Sequence, residues 1–188
     1  MNTRIFKTAA SVVFILLVMV GSFALAHILK DSEVARSTIE QFGYRGMFVI
    51  AVVTGLNLFI PIPAATFAPV FVSAGFPLPA IIVVLTAGTL VADIVGYLIG
   101  VSGRHIARHA HPGLEARIES FARVHHSLVV PLVFLSSAFA PFPNEVVLIP
   151  LAFIGIRFRI LFLPLLAGTI VYNTLIAYGL TGTFEYFF

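Results

Sequence analysis

Phe59-Ile60-Pro61-Ile62-Pro63 and Phe139-Ala140-Pro141-Phe142-Pro143 stand 80 residues apart and carry the same Pro-x-Pro interruption of an apolar run. At that gapless offset Gly75 falls on Gly155, Ala87-Gly88-Thr89 on Ala167-Gly168-Thr169, and Asp93 on Asn173. One such pair arises easily by chance. A single offset shared by a Pro-x-Pro, a lone glycine and an Ala-Gly-Thr triplet indicates duplication, so residues 47–103 and 127–183 read as two copies of one unit.

The surrounding composition says what solvent the unit expects. Of 188 residues, 60% are apolar and 10% charged, and the mean hydropathy is +1.07. A water-soluble domain carries roughly 45–50% apolar and about 25% charged residues, so an integral membrane protein is expected. The chain has no cysteine, which excludes a disulfide framework, a thiolate nucleophile and a Cys-ligated metal together. Its eleven Lys and Arg are scattered over the inter-span segments, which argues against nucleic acid as a partner.

Apolar runs cover 8–29, 46–103, 127–156 and 160–183. Prolines 61, 63, 77 and 79 cut the second run, leaving pieces 47–60 and 64–76 that extend roughly 20 Å each as helix, short of a ~30 Å hydrocarbon core. Each pair of short pieces therefore reads as a re-entrant hairpin, with breaks at Pro61, Pro63, Pro141 and Pro143. Leu78–Gly100 is long enough to span. Each copy then makes an odd number of crossings, so the second must be inverted relative to the first. Charge agrees: Arg4, Lys7, Arg104, Arg108, Arg117, Arg123, Arg157 and Arg159 fall on one side, expected to be cytoplasmic, against Lys30, Arg36 and Arg45 on the other.

The expected fold is an all-α integral membrane protein, an inverted repeat with two opposed re-entrant helical hairpins. Its parts are an N-terminal transmembrane helix over 1–30, an extracytoplasmic linker 31–46, repeat 1 over 47–103, a basic His-rich cytoplasmic loop 104–126, repeat 2 over 127–183 and a tail 184–188. The first part has two readings. Ala24-Leu25-Ala26 after Arg4 and Lys7 has the pattern of a signal-peptide cleavage site, while Ala9–Leu29 is long enough to be kept as a span with a cytoplasmic N-terminus.

At Pro141-Phe142-Pro143-Asn144-Glu145 with Gly155, and over Gly88–Gly100 with its Asp93-Ile94-Val95-Gly96-Tyr97, the chain resembles the DedA family, the bacterial part of the SNARE-associated Golgi protein (VTT domain) superfamily. The resemblance covers most of residues 30–180 and identifies a short, divergent member. It implies two opposed re-entrant hairpins, a multi-pass protein of a prokaryotic plasma (inner) membrane, and movement of phospholipids or polyprenyl phosphate carriers between leaflets, often linked to protons. Family members carry arginines about the second proline break and a glutamate in the first. Here Ser136, Ser137 and Asn144 stand in the second and Ala64, Ala65 and Thr66 in the first, so the phosphate-binding arginines do not carry over.

Asp93 and Glu145 are the ionisable groups well inside apolar runs, where a charge costs about 2.5–3.5 kcal/mol. Glu145 follows Asn144, a residue suited to N-cap a half-helix, whose dipole favours the ionised acid while burial favours the neutral one. That contest suits a proton-linked carrier, and it equally suits a static counterion to the helix. Asn173 is the repeat mate of Asp93, and with Asn57 it serves as interhelical glue or as a polar group in the pathway. The half-helix N-termini after Pro63 and Pro143 are expected to aim N–H groups at an anionic head group. Arg157 and Arg159, at the closing turn of the second hairpin, either gather lipid phosphates or anchor topology. His105 and His109 share a helical face, but no carboxylate or cysteine completes a metal set. No nucleophile-base pairing or phosphate-cradling motif is present. Neither enzyme activity, cofactor nor metal is expected. The expected partners are membrane lipids, protons and a further copy of the chain, and the rival functions are a carrier of a small ion or solute and a non-transporting scaffold.

Overall fold

The computed structural model describes residues 33–56, 63–110, 126–140 and 143–187, and among these every regular element is helical. The expected N-terminal helix, Asn57, Pro61, Pro141 and the centre of the basic loop lie outside the described residues. The elements are α1 (Glu33–Gly55), a 3-10 turn (Ala64–Phe67) running into α2 (Ala68–Ser73), α3 (Leu78–Ala110), α4 (His126–Phe139), α5 (Glu145–Phe153) and α6 (Phe158–Phe187). Among the described residues two segments are long and apolar enough to cross a membrane, Leu78–Ile106 and Phe158–Gly182, of 29 and 25 residues.

Helix ends follow local chemistry that recurs at the offset of 80. After α2, Phe76 N–H donates to the Phe71 carbonyl at 3.1 Å and Gly75 N–H to Val72 at 2.9 Å; after α5, Ile156 donates to Leu151 and Gly155 to Ala152, both at 3.0 Å. These are two Schellman caps, each needing a left-handed residue, supplied by Gly75 (φ 89°) and Gly155 (φ 91°). Pro63 and Pro143 each offer a carbonyl to the N–H three residues on, Thr66 at 3.0 Å and Val146 at 3.1 Å. Pro77 and Arg157 do the same for Ala80 and Ile160.

The helices before the breaks obey a different register. Gly88 of α3 is so close to α1 that a Cβ there would meet Ala51 Cβ, Phe48 O and Val52 N, whereas the matching Gly168 of α6 would meet Ser137 Cβ, Phe134 O and Ala138 N. The correspondence between α1 and α4 is thus 86, not the 80 that the sequence suggests for 47–60 against 127–140. The first connection to the break holds six more residues than the second, which moves the helix and leaves the contact unchanged.

Two further departures come from helix continuation. α1 begins at Glu33, inside the segment expected as a linker, and turns at Gly43 (φ 51°, ψ −138°), so that Tyr44–Gly55 forms its own straight stretch. α3 runs to Ala110, beyond the expected boundary at Gly103, because nothing before Pro112 forbids a helix.

The packing sets the depth of each break. α1 lies along α3 in the same direction: the Tyr44 ring sits 5.0 Å from that of Phe76, and Gly55 abuts Thr89 and Ala92. α5 also runs with α3, its Glu145 against Gly96, Ala152 against Gly100 and Phe153 against Gly103. Hence the C-terminal end of α1 and the N-terminal end of α5 both lie against the stretch 89–96, about halfway along α3. α6 runs opposite to α3, as Tyr97 stacks near Phe158 at 5.0 Å while Thr86 meets Asn173. The short elements pack on the long helices crosswise, α5 on α3 and α2 with its 3-10 turn on α6. Two apolar cores result, one about Met47, Ala65, Phe71, Ile81, Leu85 and Ala177, the other about Val133, Leu148, Leu151, Leu161 and Leu165.

Candidate functional site

α5 starts where Pro143 ends the irregular backbone, and its first residue carries the acid. Glu145 is only 1% exposed. Gly96 makes this burial possible, since a Cβ there would stand 2.7 Å from Glu145 Cγ. Asp93, three residues before Gly96 on α3, is likewise 1% exposed. Asn144 joins the two elements: its Nδ2 donates to Asp93 Oδ2 at 3.2 Å. Glu145 is near enough to act on Asp93 electrostatically. Three residues singled out from the sequence, Asp93, Asn144 and Glu145, therefore share one buried cluster.

Asn144 does not cap as expected. It occupies the N-cap position with helical φ and ψ, and its side chain makes no capping bond. Its backbone carbonyl instead accepts from Leu148 at 2.8 Å and Val147 at 3.0 Å, while Pro143 accepts from Val146. With those first-turn donors taken, the α5 N-terminus has less to offer an anion than the sequence implied. What remains is a pair of buried carboxyl groups, with the Asn144 amide donating to that of Asp93. Two negative charges buried together repel and are costly to desolvate.

The chain matches no protein-family model, no curated protein and no solved structure.

Asn173 lies elsewhere. Its Nδ2 donates to Thr86 Oγ1 at 3.0 Å, both residues being buried. Thr86 is two turns before Asp93 on α3, about 10 Å along the axis, so the repeat mates occupy separate polar clusters. Thr169, one turn before Asn173, has a buried Oγ1 with no hydrogen-bond partner among the described residues. Neither threonine was signalled by the sequence, where a Thr in an apolar run reads as one that bonds its own helix, as Thr89 does to Leu85 at 2.9 Å.

Arg157 and Arg159 are exposed at the start of α6 and are not brought to the acids. The guanidinium of Arg104 packs on Gly155 in the same turn, about 16 Å along α3 from Asp93. Tyr97 fixes this turn as well, its hydroxyl donating to the Ile156 carbonyl at 3.0 Å. Pro63 stands directly before the 3-10 turn, and Pro143 is one residue removed from α5, with Asn144 between. His105 is exposed on α3, and no group of three metal-ligating residues occurs among the described residues.

Proposed function

We propose that the chain is a multi-pass transporter of a prokaryotic plasma membrane, of the DedA/VTT type, that moves lipids or lipid-phosphate carriers between leaflets in a proton-linked cycle. On this reading the two hairpins are re-entrant from opposite faces, α3 and α6 cross, and no covalent chemistry is performed. One observation carries it: Asp93 and Glu145, joined through Asn144, form an acidic cluster with both carboxyl groups buried, halfway along an apolar helix of spanning length at the start of the short helix α5. Acids at that depth are expensive and mark pathways or proton relays, and broken helices meeting there are how carriers build a central site. Large apolar side chains on the outside of the bundle, such as Leu163 at 69% and Val83 at 67% exposure, suit a hydrocarbon surrounding.

A second reading, a carrier of a small ion or solute through the same cluster, is favoured by one fact. Among the described residues no Lys or Arg is buried, so no cation waits in the interior for a phosphate. Purified protein in vesicles separates the readings. Protein-dependent exchange of a fluorescent phospholipid between leaflets supports lipid movement, solute or ion flux without lipid exchange supports the second reading, and neither activity leaves a scaffold.

A further inference from the structure

Between α1 and α3, on the side of the first hairpin where α1 turns at Gly43, lies an open groove of about 390 Å3 bordered by Tyr44, Arg45, Phe48, Val49, Val83 and Ala87. It lies beside the seam of the two helices, which is closest at the Gly88–Ala51 and Gly55–Ala92 contacts. The walls are apolar and open, with Val49 58% and Val83 67% exposed. The one charge on its border is Arg45. Val83 beside Arg45 and Arg104 at the far turn are 21 positions apart on α3, about 31 Å of helix, which is one hydrocarbon thickness. Arg45 thus lies at one boundary of the apolar belt, with the groove running inward from it.

A cation at a membrane boundary above an apolar channel is complementary to one ligand shape, a phosphate joined to an acyl chain. We propose that the groove between α1 and α3 seats one acyl chain of an anionic phospholipid whose phosphate pairs with Arg45. The proposal rests on the membrane reading of the fold and is independent of whether the protein transports.

The chain contains no tryptophan, so a single introduced one reports its own surroundings. Val53→Trp puts the probe one turn below Val49, on the same face of α1 and just beyond the groove; Val53 is 65% exposed. Ile170→Trp on α6, 43% exposed, is a control at matching depth, since Thr86 pairs with Asn173 on the antiparallel helix. Each variant is reconstituted in phosphatidylcholine vesicles with increasing brominated phosphatidylglycerol or brominated phosphatidylcholine, and fluorescence quenching gives the relative affinity at each probe. The expected result is about fivefold preference for phosphatidylglycerol at position 53, the effect of one surface cation on an anionic lipid. Arg45→Gln should abolish that preference, and position 170 should show none. Equal quenching by the two lipids at position 53, or a preference that survives Arg45→Gln, overturns the proposal. So does a position 53 that is unquenched while 170 is quenched, since protein then covers the groove. Quenching at neither position removes the membrane reading, and the proposal with it.

Discussion

Gly100→Ala perturbs the acidic cluster without touching it. Gly100 is where α5 lies closest to α3: a Cβ there would be 2.7 Å from Ala152 Cβ and 3.1 Å from Ile149 Cα, and it would also strike the Ile149 carbonyl. None of these is the flexible end of a side chain. Carbon atoms settle at about 3.5–4.0 Å, so α5 must back away by about 1 Å. Overpacking of this kind costs about 1–3 kcal/mol, offset by the ~1 kcal/mol gained on replacing a mid-helix glycine. α5 moves as one short rod, so Asn144 moves with it and its 3.2 Å bond to Asp93 lengthens beyond hydrogen-bonding range. Losing that bond at a buried carboxyl costs about 1–3 kcal/mol more, for a loss of roughly 3 kcal/mol in all. Gly103→Ala is the control, because on the same helix its Cβ would meet only the Phe153 ring at 3.6 Å, an ordinary contact, and it should be neutral or slightly stabilising. Unfolding of the purified proteins in mixed micelles measures both. Equal stabilities for the two alanine variants would refute the account of how α5 is seated and of what holds the cluster together.

Three other outcomes are expected. Gly75→Ala and Gly155→Ala should both destabilise, since each forces a left-handed alanine at about 1–2 kcal/mol; Gly155→Ala should be worse because its Cβ collides with the Arg104 guanidinium, and Arg104→Ala in that background should recover the difference in an unfolding assay. Asn144→Ala should cost about 1–3 kcal/mol by taking the amide from Asp93, and Asp93→Asn in the same background should restore part of it, an amide being cheaper to bury than a carboxylate. With no native cysteine to interfere, Ser37→Cys should react with an impermeant thiol reagent only from outside and Arg159→Cys only from the cytoplasm; labelling of Arg159→Cys from outside would reject the opposed hairpins.

The sequence was most legible where a residue type has one physical use. Gly75 and Gly155 stand out as repeat mates, although their left-handed backbone shows only in the structure. Pro63 and Pro143 precede short helices because proline favours a helix start over its interior, even though Pro131, Pro150 and Pro164 are accommodated inside helices. Asp93 and Glu145 were identifiable because acids in apolar runs are rare. What escaped was set by tertiary contact. The shift from 80 to 86 before the breaks is fixed by which residues of α1 and α4 meet Gly88 and Gly168, and a gapless comparison cannot see it. Asn144 reads as an N-cap by local rules, yet an acid on another helix draws its side chain away. Thr86 became a partner only because α6 runs antiparallel and delivers Asn173 beside it. Arg157 and Arg159 read either as phosphate-gathering groups or as topology anchors at the closing turn, and their turn lies about three turns of helix along α3 from the acids.

The central claim is that the cluster of Asp93, Asn144 and Glu145 links lipid movement to protons, and Glu145→Gln tests it most directly. The amide preserves shape and hydrogen bonding while fixing the charge at zero. Wild-type and Glu145→Gln proteins are reconstituted in vesicles with an imposed pH gradient, and leaflet exchange of a fluorescent phospholipid is followed. The account predicts wild-type exchange that rises with the gradient, and a well-folded Glu145→Gln protein whose residual exchange ignores it. Exchange in the Glu145→Gln protein that still follows the gradient as the wild type does would contradict it and leave Glu145 a structural counterion.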